Sequence, residues 1–241
     1  MGVNLKISNM EELMKKKIKT LVYPFDDECE AFLEFHSWME YIDIIAVDTP
    51  CGWGKMNFIK EGDIQQIGSN IKEIELLWIV KSTNKITLEE FEKRLIFLTQ
   101  DIKSILVSRK LSAEEFDKLE EIAKTNSVRI IEEKDIIGAL PEQSFEESGV
   151  GYALKDIEIP IVMIAGAGEN CNKFELELLI ANKLKEIGYK VSVVTSRSYV
   201  NCLGVHSFPT FMFQSLKDES EKIIAYNNYI KYLSEMDKPD I

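Results

Sequence analysis

The chain has 241 residues, 45% of them hydrophobic and 29% charged, the make-up of a folded protein with room for two modest α/β domains. Its 29 Lys and Arg face 41 Asp and Glu, a net charge of −12 that argues against general nucleic-acid binding and against docking on an anionic membrane. Most of the acid excess precedes residue 156 and reads as a solvated acidic surface. No apolar run approaches the ~18 residues of a membrane helix. Met1–Lys19 is basic without an apolar core and does not read as a secretory signal. Cys29, Cys51, Cys171 and Cys202 form no Cys-x-x-Cys pair, which suits a reduced, cytoplasmic protein. With only His36 and His206, no zinc site is expected.

In chain order, the first half alternates strand and helix patterns. Ile18–Tyr23 is an apolar run ended by Pro24. Asp26 or Asp27 can cap the next helix, with Phe32, Leu33 and Met39 facing a core. Ile42–Val47 is a second strand, and Asp48–Lys55 is the loop after it. Ile74–Val80 is a third. Thr87-Leu-Glu-Glu90 opens a helix with Leu88, Phe91, Leu95 and Leu98 on one face. Ser112-Ala-Glu-Glu115 opens another, with Phe116, Leu119 and Ile122. Ile102–Val107 lies between these helices and Val128–Ile131 follows them. Strands separated by helices predict a parallel, doubly wound sheet, Rossmann-like in architecture, over residues 1–140.

Residues 141–158 carry Pro141, Gly149, Gly151 and several acids with no long periodic face, and are expected to link two domains. A second α/β unit spans 159–241. Ile161–Ala165 reads as a buried strand and Gly166–Asn172 as a loop. A helix runs from Lys173 to Ile187 with Leu176, Leu179, Ile180, Leu184 and Ile187 apolar, and Gly188 sits just past its end. Val191–Thr195 is the next strand, and residues 218–235 form a helix. Lys238–Ile241 begins another strand, so this unit is expected to be incomplete at its C-terminus and the chain to be a fragment of a longer protein.

The loop after Ala165 has a chemical logic. A glycine-rich turn between a parallel strand and a helix aims backbone N–H groups at one spot, and the helix dipole adds positive potential, which makes an anion site. Gly166 and Gly168 allow close approach of a ligand. Ala167, Glu169 and Asn172 line the turn, and Lys173 can reach a phosphate. The regular P-loop spacing would put glycines at 167 and 172 and a hydroxyl at 174, where the chain has Ala167, Asn172 and Phe174. It resembles more closely the variant in dethiobiotin synthetase and its relatives, whose first glycine lies seven before the lysine, at Gly166 here. That resemblance implies ATP or GTP as ligand. Phe174 lacks the hydroxyl that holds Mg²⁺ and no strand ending in Asp follows, so this chain is not expected to anchor the metal.

Two other readings use the same residues. Gly166-x-Gly168-x-x-Cys171 matches a dinucleotide fingerprint with its third glycine replaced, and Arg197 after the next strand could hold the 2′-phosphate of NADP. The turn could also bind nothing. A thioredoxin-like role for Cys171 fails because no second cysteine lies near it. In the first half, Asp26, Thr49, Ser82 and Ser108 follow four strands and could line one crevice. Cys51 and Trp53 read as a structural thiol and a packing aromatic, and His36 as packing or surface. His206, in a loop with Arg197 and Tyr199, could serve as an acid/base or phosphate contact or as a loop histidine.

Several stretches also resemble the bacterial peptide maturation system proteins that accompany ribosomally made, bacteriocin-like peptides. They are Gly52-Trp-Gly54, Gly168-Glu-Asn-Cys-Asn-Lys-Phe-Glu175, Gly188-Tyr-Lys-Val191, His206-Ser-Phe-Pro209 and Lys238-Pro-Asp-Ile241. The resemblance implies a context, the maturation of a peptide, with a precursor peptide or other maturation proteins as partners and homo-oligomers open. It assigns no reaction and no catalytic residue. The rival is a scaffold or binding module without chemistry.

Overall fold

The computed structural model describes residues 17–26, 29–50, 65–66, 73–82, 85–148, 151–166, 172–197, 200–213 and 218–241. Asp27, Cys51, Trp53, Ala167, Gly168, Glu169, Cys171 and Tyr199, singled out above, lie outside these residues. The chain divides into two compact units, residues 1–137 and 138–241.

The first unit is a six-stranded sheet in the order β3-β2-β1-β4-β5-β6, every pair parallel. Its strands are β1 (Ile18–Tyr23), β2 (Ile42–Val47), β3 (Gln65–Gln66), β4 (Leu76–Ile79), β5 (Ser104–Val107) and β6 (Arg129–Ile131). This is the Rossmann strand order, so the α/β fold class expected from the sequence holds. Five strands fall where the apolar runs place them. Gln65–Gln66 gives no such signal, because a two-residue edge strand needs only a neighbour to pair with.

β4 shows why the sheet is doubly covered. All four of its residues are buried, a continuous apolar run with packing on both faces. Helix α1 (Glu30–Glu34) is one short piece followed by a 3-10 turn at His36–Trp38. Its N-cap is Cys29, whose side chain makes no capping bond, where Asp26 or Asp27 was expected to be the cap. Met39 is buried as expected.

Helix α2 (Leu88–Leu98) starts on Thr87, whose hydroxyl accepts the Glu90 N–H at 3.2 Å. It buries Phe91, Leu95 and Leu98 completely. Helix α3 (Ala113–Thr125) starts on a full Ser112–Glu115 capping box and buries Leu119, Ile122 and Ala123. Phe116, expected in the core, is 43% exposed. It belongs to the first turn, beyond the ends of β5 and β6, and lines a hollow there instead. Each fully buried large side chain in this core is worth ~1.5–3 kcal/mol.

The second unit begins with structure where a linker was expected. After the short α4 (Lys134–Ile137) at the close of the first unit comes α5 (Pro141–Ser148). Its Phe145 sits in a core with Phe211, Ala225, Tyr229 and Leu233, and its ring centroid lies 5.2 Å from that of Tyr229. Helices α6 (Lys173–Glu186) and α7 (Glu219–Asp237) flank β7 (Val194–Thr195) and β8 (His206–Ser207), which pair in parallel. Gly188, at φ +100°, ends α6 as expected.

Two expectations fail here. Ile161–Ala165 is not a buried strand: Ile161, Val162 and Met163 are 61%, 57% and 83% exposed, because none of the described residues pairs with this segment. The buried stripe of α6 is Phe174, Leu178 and Ala181, while Leu176, Leu179 and Ile187 are exposed. Apolar and charged residues are spread round that helix, so periodicity alone selects no face. The last residues do pair as a strand would. The Asp240 N–H donates to the Lys190 carbonyl at 2.7 Å, and the Ser192 N–H donates to the Ile241 carbonyl at 3.1 Å.

Candidate functional site

In a Rossmann order, ligands sit beyond the carboxyl ends of the strands where the order reverses, here between β1 and β4. The chain leaving β1 is Pro24-Phe25-Asp26, with no glycine for close approach of a phosphate and a buried acid in its place. Its backbone is already tied down. The Phe25 N–H donates to the Asp48 carbonyl at 2.9 Å, and the Cys29 N–H donates to the Asp26 carbonyl at 2.9 Å. The Cys29 thiol is buried beside Asp26, donates to the Lys81 carbonyl at 3.5 Å, and is pushed well above its ordinary range by that burial.

Asp48, after β2, is 2% exposed and gripped by Arg94 of α2. The Arg94 Nε–H donates to Oδ2 at 2.6 Å, and a second bond from the same guanidinium reaches Oδ1. Burial raises the Asp48 carboxyl above its ordinary value, and the guanidinium opposes that rise. Ser108, after β5, accepts from the Trp78 Nε1–H at 2.8 Å and donates to Glu133 at 2.6 Å. Arg109 pairs with Glu115 at 2.6 Å and lies 5.0 Å from the Phe91 ring centroid. Of the four crevice candidates, Asp26 is buried and Ser108 is committed to a Trp78–Glu133 chain. A hollow of about 590 Å³ lies to one side, past β5 and β6, where Arg109, Ser112, Phe116 and Lys134 line it; none of the four does.

The glycine-rich turn belongs to the other unit. Gly166 is the last described residue of a largely exposed segment. Asn172 precedes α6 in the left-handed conformation (φ 48°, ψ 35°), and its side chain makes no capping bond. Lys173 is the first helical residue and is half-buried. Arg197, 24 residues on in sequence, returns to this spot: its guanidinium carbon lies 5.3 Å from the ring centroid of buried Phe174. The fold therefore brings Arg197 to Phe174, in the first turn of the helix that follows Asn172 and begins at Lys173.

Glu177, one turn into α6, was missed from the sequence. Burial raises its carboxyl above the ordinary value, opposed by a hydrogen bond with Thr195 and by the charge of Lys173. An acid four residues after a lysine on a helix looks like a surface ion pair, so no sequence signal marks it. His206 pairs with an acid of α7. Its Nε2 lies 2.6 Å from Asp237 Oδ2, and the Ser192 hydroxyl donates to the same oxygen at 2.7 Å. Burial alone would raise the Asp237 carboxyl, but these bonds hold it below its ordinary value. The three groups fasten the end of α7 to the strands. Among the described residues no cluster of His, Cys, Asp and Glu could hold a metal ion, and no helix is long and apolar enough to cross a membrane.

No family model and no curated protein matches the chain. Two solved structures are similar at low level. Homoserine dehydrogenase of S. aureus is 13% identical over 52% of this chain and 34% of its own, with a TM-score of 0.31. A putative oxidoreductase of Bacteroides fragilis is 12% identical over 73% of this chain and 53% of its own, with a TM-score of 0.37. The chain spans about a third and about half of the two lengths. The fold assignment rests on the strand order itself.

Proposed function

We propose that the amino end of α6 binds a phosphate-bearing ligand, a nucleotide above all. In this reading the chain serves as an accessory protein in the maturation of a ribosomally made peptide. The observation that carries the binding reading is Arg197 over Phe174, which sets a cation on the first turn of the helix that Lys173 opens. A phosphate there would accept from the first N–H groups of the helix, and each cation would add a charge-assisted bond. Gly166 and the turn after it would supply the close backbone approach that a phosphate needs.

ATP or GTP is the first choice of ligand. NADP is the second, with Arg197 on its 2′-phosphate. Against a dinucleotide spread over the Rossmann sheet stands the first βα turn of that sheet, which is acidic and has no glycine. The peptide context comes from the sequence resemblance alone, with a precursor peptide or a maturation protein as partner.

The test is a thermal-shift panel with ATP, GTP and NADPH, each with and without Mg²⁺. A ligand at about 100 times its Kd adds ~2.7 kcal/mol, a rise of several degrees for a chain of this size. Lys173→Ala and Arg197→Ala should each remove most of the shift. A shift that survives both changes places the ligand elsewhere, and silence across the panel leaves the scaffold reading.

A further inference from the structure

The hollow of about 590 Å³ beyond the carboxyl ends of β5 and β6 lies within the range of about 300–1,000 Å³ usual for small-ligand pockets. We propose that it binds a free α-amino acid with an aromatic side chain, taken up as the zwitterion. The proposal is independent of the phosphate reading, since it uses neither Lys173 nor Arg197.

Two stretches of chain line the hollow. One runs from β5 into α3 and brings Arg109, Ser112 and Phe116. The other runs from β6 into α4 and brings Glu132, Lys134 and Asp135. Val107, Leu111 and Ile130 supply apolar wall. A mainly apolar lining with a few placed polar groups is the usual make-up of a small-molecule site.

Arg109 is the group for a carboxylate. Its guanidinium is held before any ligand arrives: Nη2 donates to Glu115 at 2.6 Å, and the central carbon lies 5.0 Å from the Phe91 ring centroid. The side chain is only 19% exposed, so water screens its charge weakly. A guanidinium carries five N–H donors in a fixed fork that matches a carboxylate. This one is not saturated, because its buried Nε–H has no acceptor among the described residues.

The other stretch suits the ammonium. Asp135 accepts the Glu132 N–H at 3.0 Å and lies 3.7 Å from Arg129, and Glu132 pairs with Lys134 at 2.5 Å. An ionised carboxylate has about four acceptor positions, so both acids keep lone pairs for a further donor. The charged groups on the lining are two cations and two acids, with both acids on the stretch that does not carry Arg109. A simple anion would meet Glu132 and Asp135, and a simple cation would meet Arg109. A ligand that is neutral overall and charged at both ends satisfies the two stretches together.

Phe116 sets the side chain of the ligand. It is 43% exposed in a helix whose following apolar positions, Leu119 and Ile122, are buried. An aromatic ring laid against it, stacked or edge-on, covers surface that otherwise faces water.

The test is calorimetric titration of the whole chain with L-phenylalanine, and saturable binding is expected. N-acetyl-L-phenylalanine lacks the ammonium, L-phenylalaninamide lacks the carboxylate and L-alanine lacks the ring, so each should bind at least about tenfold more weakly. Arg109→Met should weaken L-phenylalanine by at least the same factor. Phe116→Ala and Asp135→Asn, at exposed positions, should each weaken it several-fold and guard against a misfolded Arg109→Met protein. Lys173→Ala should leave it unchanged, so this proposal and the phosphate reading fail separately. Absence of saturable binding overturns the proposal. So does equal binding of any of the three analogues, binding that survives Phe116→Ala and Asp135→Asn together, or loss of binding in Lys173→Ala.

Discussion

The two units of this chain use the same ingredients, parallel strand segments and flanking helices, and reach different degrees of closure. In the first, β1 and β4 have strand neighbours on both sides, and Leu77, Trp78, Ile79, Phe91 and Leu95 are wholly buried. In the second, the ladder of β7 and β8 is two residues long and an equally apolar segment, Ile161–Ala165, lies open. Apolar sequence is therefore not what closes a sheet. A strand is buried when a second strand satisfies its edge and a helix covers each face, and the described part of the second unit lacks one such neighbour.

The largest effect that would sharpen this contrast is a matched pair of core truncations. Phe91→Ala, in the closed core, should cost about 3–5 kcal/mol in urea unfolding. Phe145→Ala, in the smaller core of the second unit, should fall at the low end of that range because its surroundings can collapse. Equal costs would break the comparison. Next comes Arg94→Met, which leaves the Asp48 carboxylate buried without its partner. Loss of a buried pair costs about 3–5 kcal/mol, and about 2 kcal/mol is expected here because Arg94 is 30% exposed. Adding Asp48→Asn should recover much of it. No recovery would mean that Arg94 acts through packing on Phe97, 4.6 Å from its guanidinium, rather than through charge.

Helix starts give a smaller contrast. Ser112→Ala removes a complete capping box and should cost about 1 kcal/mol. Asn172→Gly removes no capping bond and relieves a left-handed residue, so stability should be unchanged or a few tenths of a kcal/mol higher. Thermal melts of the two variants read this directly.

The smallest expected effect is a pH dependence confined to the second unit. The Asp237 carboxyl lies below its ordinary value of 3.8 when folded, so the folded state binds its proton less readily than the unfolded one. Its contribution is complete above that value and is lost as the pH falls through the lower folded value. Asp237→Asn should flatten the acid limb of a stability–pH curve. An unchanged limb would mean that the latch of His206 and Ser192 is worth the same with a neutral partner.

Much of this was legible in the sequence for identifiable reasons. Ile18–Tyr23 and Ile42–Val47 announce themselves because buried parallel strands must be apolar throughout, and the Thr87 and Ser112 caps because uncovered N–H groups need an oxygen at a fixed offset. The glycine turn and Lys173 were visible as a motif. That Arg197 reaches the same helix end follows from the pairing of Val194 and Thr195 with β8 and the loop beyond, which no spacing rule encodes. The latch of Ser192, His206 and Asp237, drawn from two strand segments and a helix end, was invisible for the same reason.

The sequence by itself determined most elements of the first unit and the class of the fold, since local capping, turn chemistry and apolar runs act within a few residues. Tertiary structure decided which apolar faces are covered. Phe116 and Leu176 are exposed although their neighbours predict burial, and Ile161–Ala165 is open although its composition is that of a core strand. Burial depends on what lies opposite, across contacts far apart in the chain, and a residue's own identity does not carry that information.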